Sequence, residues 1–400
     1  MISIPKNILT NECISHTTVV SDIISVKSEV LFLCLEYINE TSQSKKDEFK
    51  LKLKNINGCE GIKIRTVNWF LKPSTRKTKN KKGITRTISS INKIDFFFKT
   101  ENHRFNPKQK IINSLESQLK YFSSAKITLI ISGLPKIIIA ESNSYNTTFP
   151  HANNRRNQVK TLLKFLFDYD EFSKKDSIYS KNWGAYTLTE KLQIRSCLYC
   201  NRNYTITVTN DTKKIIRPEL DHFFPKSEHP IIALSFYNLI PSCHICNSNL
   251  KGKKPFSLGK YFHPYLNSFE KENVRFTYKP INPVAFFNDN RGLVVKLDTT
   301  NVSRLKTQIM NNIGLFKLDE IYHEHQDIIH GLLELQRKTN KKRITDIYNN
   351  ILVDSNNKKY SMSEKEIYEL TIRNYFNEDE YNKKPMAKFE RDIAKEIGLI

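Results

Sequence analysis

Cys197-Leu-Tyr-Cys200 opens a stretch that runs through Glu219-Leu220-Asp221-His222-Phe223-Phe224-Pro225-Lys226 and Tyr237-Asn238-Leu239-Ile240-Pro241 to Cys243-His244-Ile245-Cys246-Asn247. The two Cys-x-x-Cys pairs stand 42 residues apart. A two-residue gap lets both thiolates of a pair reach one ion, and four thiolates complete a tetrahedral zinc shell. Such a shell folds the chain around it but leaves no open position for substrate. Cys197, Cys200, Cys243 and Cys246 are therefore expected to hold a structural Zn²⁺. The remaining cysteines, Cys13, Cys34 and Cys59, are scattered and read as buried or free thiols.

The chemistry is expected inside the loop that the cysteines enclose. Asp221 and His222 end an apolar and β-branched run, Pro225 follows, Asn238 comes next, and Asn247 directly follows Cys246. This order resembles the HNH, or ββα-metal, endonucleases, over about 60 of the 400 residues. In that family a final histidine is common where this chain has Asn247, and HNN variants also occur. The resemblance implies a ββα module, hydrolysis of DNA phosphodiesters, and a supporting role for Asn238 in orienting the loop that holds His222. A neutral imidazole near pH 7 can take a proton from water, which makes His222 the candidate general base. Asp221 and Asn247 offer oxygen ligands that suit a catalytic Mg²⁺ or Mn²⁺. His244 is expected to face solvent, and His325 to be a core or interface histidine on a helix face.

Around these residues, Tyr204–Thr209 reads as one strand, 210–214 as a turn and Ile215–Phe224 as a second strand ending at the Asp-His pair. A helix is expected to open at Cys246 and to end at Pro255, its N-terminus favouring an anion. Lys226, Lys251, Lys253 and Lys254 would then surround a scissile phosphate.

Outward from the motif, 64 Lys and Arg against 41 Asp and Glu leave a formal charge of +23. Residues 301–400 carry only +1, so the first 300 carry +22. A polyanion such as DNA is the expected partner, since each phosphate contact releases counterions. Ten basic residues and no acid lie between Gly61 and Ile94, Arg76 and Lys77 among them. Pro73 and Gly83 suggest a loop there, either tracking a phosphate backbone or simply solvated. Apolar residues from Ile111 to Phe122 have helical spacing, whereas two β-branched runs flanking Ser132-Gly133-Leu134-Pro135 predict a hairpin over 126–140.

The fold class expected is α+β: a mostly helical chain with a central zinc-stapled, treble-clef-like nuclease module. Three parts are expected: 1–180, basic and mixed; 181–290, the motif region; and 291–400, helical. Leu318 to Leu332 is read as one helix and Met386 to Ile397 as a short amphipathic one. No signal peptide is visible at Met1–Asn11, and Val30–Leu35 is too short to cross a bilayer, so a cytoplasmic protein is expected. In a reducing compartment the cysteine pairs favour a metal over disulfides. Lys384-Pro385 and Asp392-Ile393 loosely match the tail of nuclease subunits in Septu-like anti-phage systems, which implies an ATPase partner. A non-catalytic zinc-dependent nucleic-acid-binding module and an RNA-cleaving enzyme remain as alternatives.

Overall fold

A computed structural model describes the chain apart from residues 3, 39–42, 72–73, 80–84, 91–106, 150–155, 176–182, 211–212, 287–291, 303, 339–341, 343, 345 and 347–361. It divides into two compact units, each assembled from separated segments. The helical unit comprises Cys13–Ala185 and Lys226–Asn238. The motif unit comprises Met1–Glu12, Tyr186–Pro225 and Leu239–Ile400. The segment expected at 1–180 thus supplies most of the helical unit, while most of the motif region and the tail fall together in the other.

In the helical unit, the long Lys6–Ile38 helix from Cys13 onward and the helices Pro107–Tyr121, Ser124–Ser132, Pro135–Thr148 and Arg156–Leu166 carry most of the apolar residues. Ile24, Val30, Ile112, Ile130, Ile131, Ile138 and Leu163 are fully buried. The hairpin expected over 126–140 is instead two helices. Ser123 caps the first, its side chain accepting from the Lys126 N–H, and Pro135 sits at the start of the second. Ile127, Ile130 and Ile131 share one buried face, so core packing outweighs the β preference of branched residues. The basic segment is not a plain loop: Ser74–Lys79 (β1) pairs antiparallel with Thr85–Ser90 (β2), Arg76 opposite Ile88 and Lys77 opposite Thr87. Lys72, Lys81, Lys82 and Gly83, and the side chains of Arg76 and Lys77, lie outside the described residues.

Among its described residues the motif unit carries three two-stranded antiparallel sheets: Val208–Thr209 (β3) with Lys214–Ile216 (β4), Glu219–His222 (β5) with Leu239–Ser242 (β6), and Arg275–Pro280 (β7) with Leu293–Asp298 (β8). The strand expected from Ile215 to Phe224 is thus cut in two. Pro218 has no N–H for a ladder, and the strand bearing Asp221 and His222 pairs across the long loop with β6. In that register His222 faces Leu239 and Asp221 faces Ile240. β6 leads directly into a single helical segment, Ile245–Lys251. Gly252, with φ of 52°, ends it three residues before the expected Pro255, its N–H donating to the Asn247 carbonyl at 2.8 Å. The turn expected at 210–214 is met by Asn210, whose Oδ1 accepts from the Lys213 N–H at 2.6 Å, with Asp211 and Thr212 outside the described residues.

Toward the tail, the run expected as one helix divides into Leu318–His323 and Gln326–Lys338, where the Gln326 side chain takes the free His323 carbonyl at 3.1 Å. The amphipathic segment forms a helix over Ala387–Glu396. Among the described residues no helix is long and apolar enough to cross a membrane.

Among the described residues His16 is the fully buried imidazole of the helical unit. Its Nδ1 accepts from the Trp183 indole N–H at 3.0 Å, so Nε2 carries the proton and donates to the Leu234 carbonyl at 2.8 Å. The neutral ring is fully satisfied, and burial pushes its pKa down from 6.5 to about 4. A depressed histidine pKa stabilises the fold above pH 6.5, and that stability is lost as pH falls from 6.5 toward 4. Urea unfolding is expected to show about 2 kcal/mol less stability at pH 5 than at pH 7 from this residue. His16→Leu should flatten that part of the pH dependence; an unchanged slope would remove His16 as its source.

Candidate metal centre and its flanking site

The four cysteines converge. Cys197, Cys200, Cys243 and Cys246 are all buried, and their sulfurs lie within 4.8 Å of one another. Tetrahedral zinc with bonds of about 2.3 Å sets sulfurs roughly 3.8 Å apart, so the four fit one such ion. An all-sulfur donor set favours zinc over hard cations. Three N–H groups point at these sulfurs at 3.4 Å: Arg202 N to Cys200, Asn203 Nδ2 to Cys243, and Cys243 N to Cys197. Such donors favour the thiolate form that a metal needs.

Asn201 shapes the first knuckle. It adopts φ of 52°, a left-handed conformation that asparagine tolerates. Its N–H returns to the Cys197 carbonyl at 2.7 Å, and its amide donates to Ser196 Oγ and to the carbonyls of Tyr381 and Lys384. Met386 N and Lys388 N in turn donate to Asn201. Lys384-Pro385 thus lies against the knuckle, and Asp392 is buried against Lys388 and the Phe276 N–H. Nothing in the cysteine spacing pointed to Asn201; the signal available was an asparagine directly after a knuckle. His325 is half-buried and its Nε2 accepts from Arg202 Nε at 2.9 Å.

Beside the sulfurs, the short helical segment packs on β5. The alternate strand residues Asp221 and Glu219 each meet a side chain of the helical segment. Asp221 meets Lys251 and Glu219 meets Asn247 in this way. The Asp221 carboxylate accepts from Lys251 Nζ at 2.7 Å and from the Tyr199 hydroxyl at 2.6 Å. Lys251 also donates to the His222 backbone carbonyl at 2.7 Å and lies over the Phe256 ring. Asp221 and Lys251 are only 2% and 3% exposed. Burial pushes the Asp221 carboxyl above its ordinary value, against the pull of Lys251 and Tyr199. Glu219 accepts from His244 at 2.6 Å, Asn247 at 2.8 Å and Ser248 at 2.8 Å. Burial alone would raise its carboxyl, but these hydrogen bonds outweigh it and hold it below the ordinary range.

Family models, curated proteins and solved structures offer no match to the chain. The geometry therefore stands by itself, and it corrects several expectations. The pair expected to hold a divalent ion, Asp221 and Asn247, does not fit one as it stands: Asp221 is buried with both oxygens engaged, and the Asn247 amide is turned to Glu219. Among the described residues the four cysteines are the group of three or more Cys, His, Asp or Glu able to hold an ion. Lys251 is an internal cation, not a surface phosphate contact, whereas Lys253 and Lys254 are exposed. Lys226 and Asn238 both belong to the helical unit; there Lys226 pairs with Asp170 at 2.9 Å. Asn238 is buried and its amide donates to the Ile232 carbonyl at 3.0 Å, six residues earlier in the same segment. His222, half-buried at the end of β5, is fixed through its backbone by Lys251. His244 is exposed as expected but tied to Glu219. The sequence reading gave Glu219 no role, although strand alternation places it on the same face as Asp221.

Two outcomes follow. Stripping the metal with a strong chelator, or Cys246→Ser, should unfold the motif unit, read as loss of near-UV circular dichroism, with one zinc per chain measured beforehand. Lys251→Met leaves a buried carboxylate unpaired and should cost about 3–5 kcal/mol in urea unfolding. Adding Asp221→Asn should recover part of that loss; an additive double variant would mean that the two residues do not interact.

Proposed function

We propose that the chain is an HNH-type endonuclease that hydrolyses DNA phosphodiester bonds. One observation carries the reading: a strand ending in Asp221-His222 pairs across a loop with a strand that runs straight into a cysteine knuckle and a helical segment, beside four converged sulfurs. The four sulfurs supply folding and leave no open position for substrate.

In this reading His222 is the general base. Its imidazole takes a proton from the attacking water, which adds to phosphorus as the 3′-oxygen leaves. Lys251 positions it by holding the backbone carbonyl of the same residue, and Asp221 holds Lys251 in turn. Exposed Lys253 and Lys254, next in sequence after the helical segment, offer positive charge to a phosphate backbone. The Asp221–Asn247 pair does not present a ready hard-cation site, so cleavage is compared with and without Mg²⁺ or Mn²⁺.

Zinc-loaded protein is incubated with plasmid DNA, and in parallel with RNA, with and without added Mg²⁺ or Mn²⁺. Cleavage of DNA is expected, and His222→Ala should lower it by at least roughly a hundredfold while DNA binding persists. Binding without any cleavage would favour the non-catalytic module. Cleavage of RNA alone would change the substrate, and full activity in His222→Ala would remove the base.

A further inference from the structure

The helical unit holds two adjoining hollows that share Lys164. The first, of about 340 Å³, is lined by Phe167, Tyr169, Pro230 and Ala233, with Lys164, Lys226 and Asp170 beside them. The second, of about 280 Å³, is lined by Trp69, Phe165 and Thr161, with Arg65, Lys164 and Asp168. Each combines aromatic rings with cations. Trp69 stacks on Phe165 at 3.9 Å between ring centres, which holds the indole in place. Lys226 Nζ lies 4.6 Å from the centre of the Tyr169 ring.

We propose that these hollows form a binding groove for single-stranded nucleic acid, with bases against Tyr169 and Trp69 and backbone phosphate at Lys164 and Lys226. Proteins that bind single strands without sequence preference combine a basic track with aromatic platforms, because every base has a face to stack. The repetition of the same pair of features on either side of Lys164 suits a ligand that itself repeats. The first hollow falls within the volume range of small-ligand sites, which begins at about 300 Å³. The excess of +23 on the chain supplies the long-range attraction.

Acids also border the groove, and they sharpen the proposal. Asp170 accepts from Lys164 and Lys226 at 2.9 Å each, so one carboxylate holds two ammonium groups side by side. Arg65 and Lys174 share Glu171, at 2.7 and 2.8 Å. Asp168 accepts from the Glu171 N–H at 2.9 Å and keeps its negative charge beside the second hollow. A phosphate arriving at the two lysines competes with Asp170, which therefore acts as a built-in rival to the ligand. The inference concerns binding by the helical unit and does not rest on the nuclease reading.

The test uses the zinc-loaded full chain carrying His222→Ala, so that a failed nuclease reading and a failed groove are told apart. Binding of a fluorescent oligothymidylate of about 12 nucleotides, within the span that such grooves cover, is measured near physiological salt. Tyr169→Ala should weaken binding about fivefold or more, and Tyr169→Phe should not. Lys164→Glu should weaken it too. Asp170→Asn should tighten it, because both ammonium groups are released; a residue that only supports the fold would not produce a gain. Lys164 and Asp170 are exposed, so their variants should fold even if Tyr169→Ala does not. Affinities unchanged in all variants, or weaker binding in Asp170→Asn, would overturn the groove. Equal competition by thymidine monophosphate or by duplex of the same length would overturn its assignment to a strand.

Discussion

The convergence of four sulfurs is the constraint on which the motif unit turns. The two knuckles lie far apart along the chain, and a shared ion would give their buried sulfurs a reason to meet. Structural zinc contributes about 10–16 kcal/mol in small zinc-binding peptides, comparable to the whole stability of an ordinary domain. Each knuckle then delivers one partner to the same carboxylate. Tyr199 comes from within the first and Lys251 from the helical segment that follows the second, and both bind Asp221. The metal centre and the Asp-His strand are thereby one piece of architecture.

Asp221 and Lys251 show why such an arrangement is specific more than it is stabilising. Desolvating two charges consumes much of what their attraction returns. What the pair secures is orientation, because Lys251 can satisfy Asp221 and the His222 carbonyl together only when β5 and the helical segment keep one register. The backbone behind His222 is set by a charge that never reaches solvent.

Cysteine spacing made the metal centre legible before any fold was known, since ligand spacing reflects the reach of one turn of chain. The strand order around His222 was partly legible: Pro218 was visible, but the loop pairing β5 with β6 was not, because register across a loop is a tertiary choice. The role of Asp221 could not be read, because a strand residue's chemistry depends on which face is buried, and alternation does not name the face. The 126–140 segment misled for a related reason. Ile127, Ile130 and Ile131 fit a helical face as well as a strand, and the Ser123 cap and Pro135 decided between them. Glu219 was passed over because its partners, His244, Asn247 and Ser248, come from beyond the loop.

Asn201 sets an order of events during biosynthesis. The knuckle it closes is buttressed by bonds to residues as much as 187 positions downstream. At about 5–20 residues per second, translation covers that interval in roughly ten to forty seconds. Throughout that time the first cysteine pair has been made and its brace has not. A nascent chain can thus capture its ion early, yet the scaffold around it tightens only once residues near Lys388 emerge.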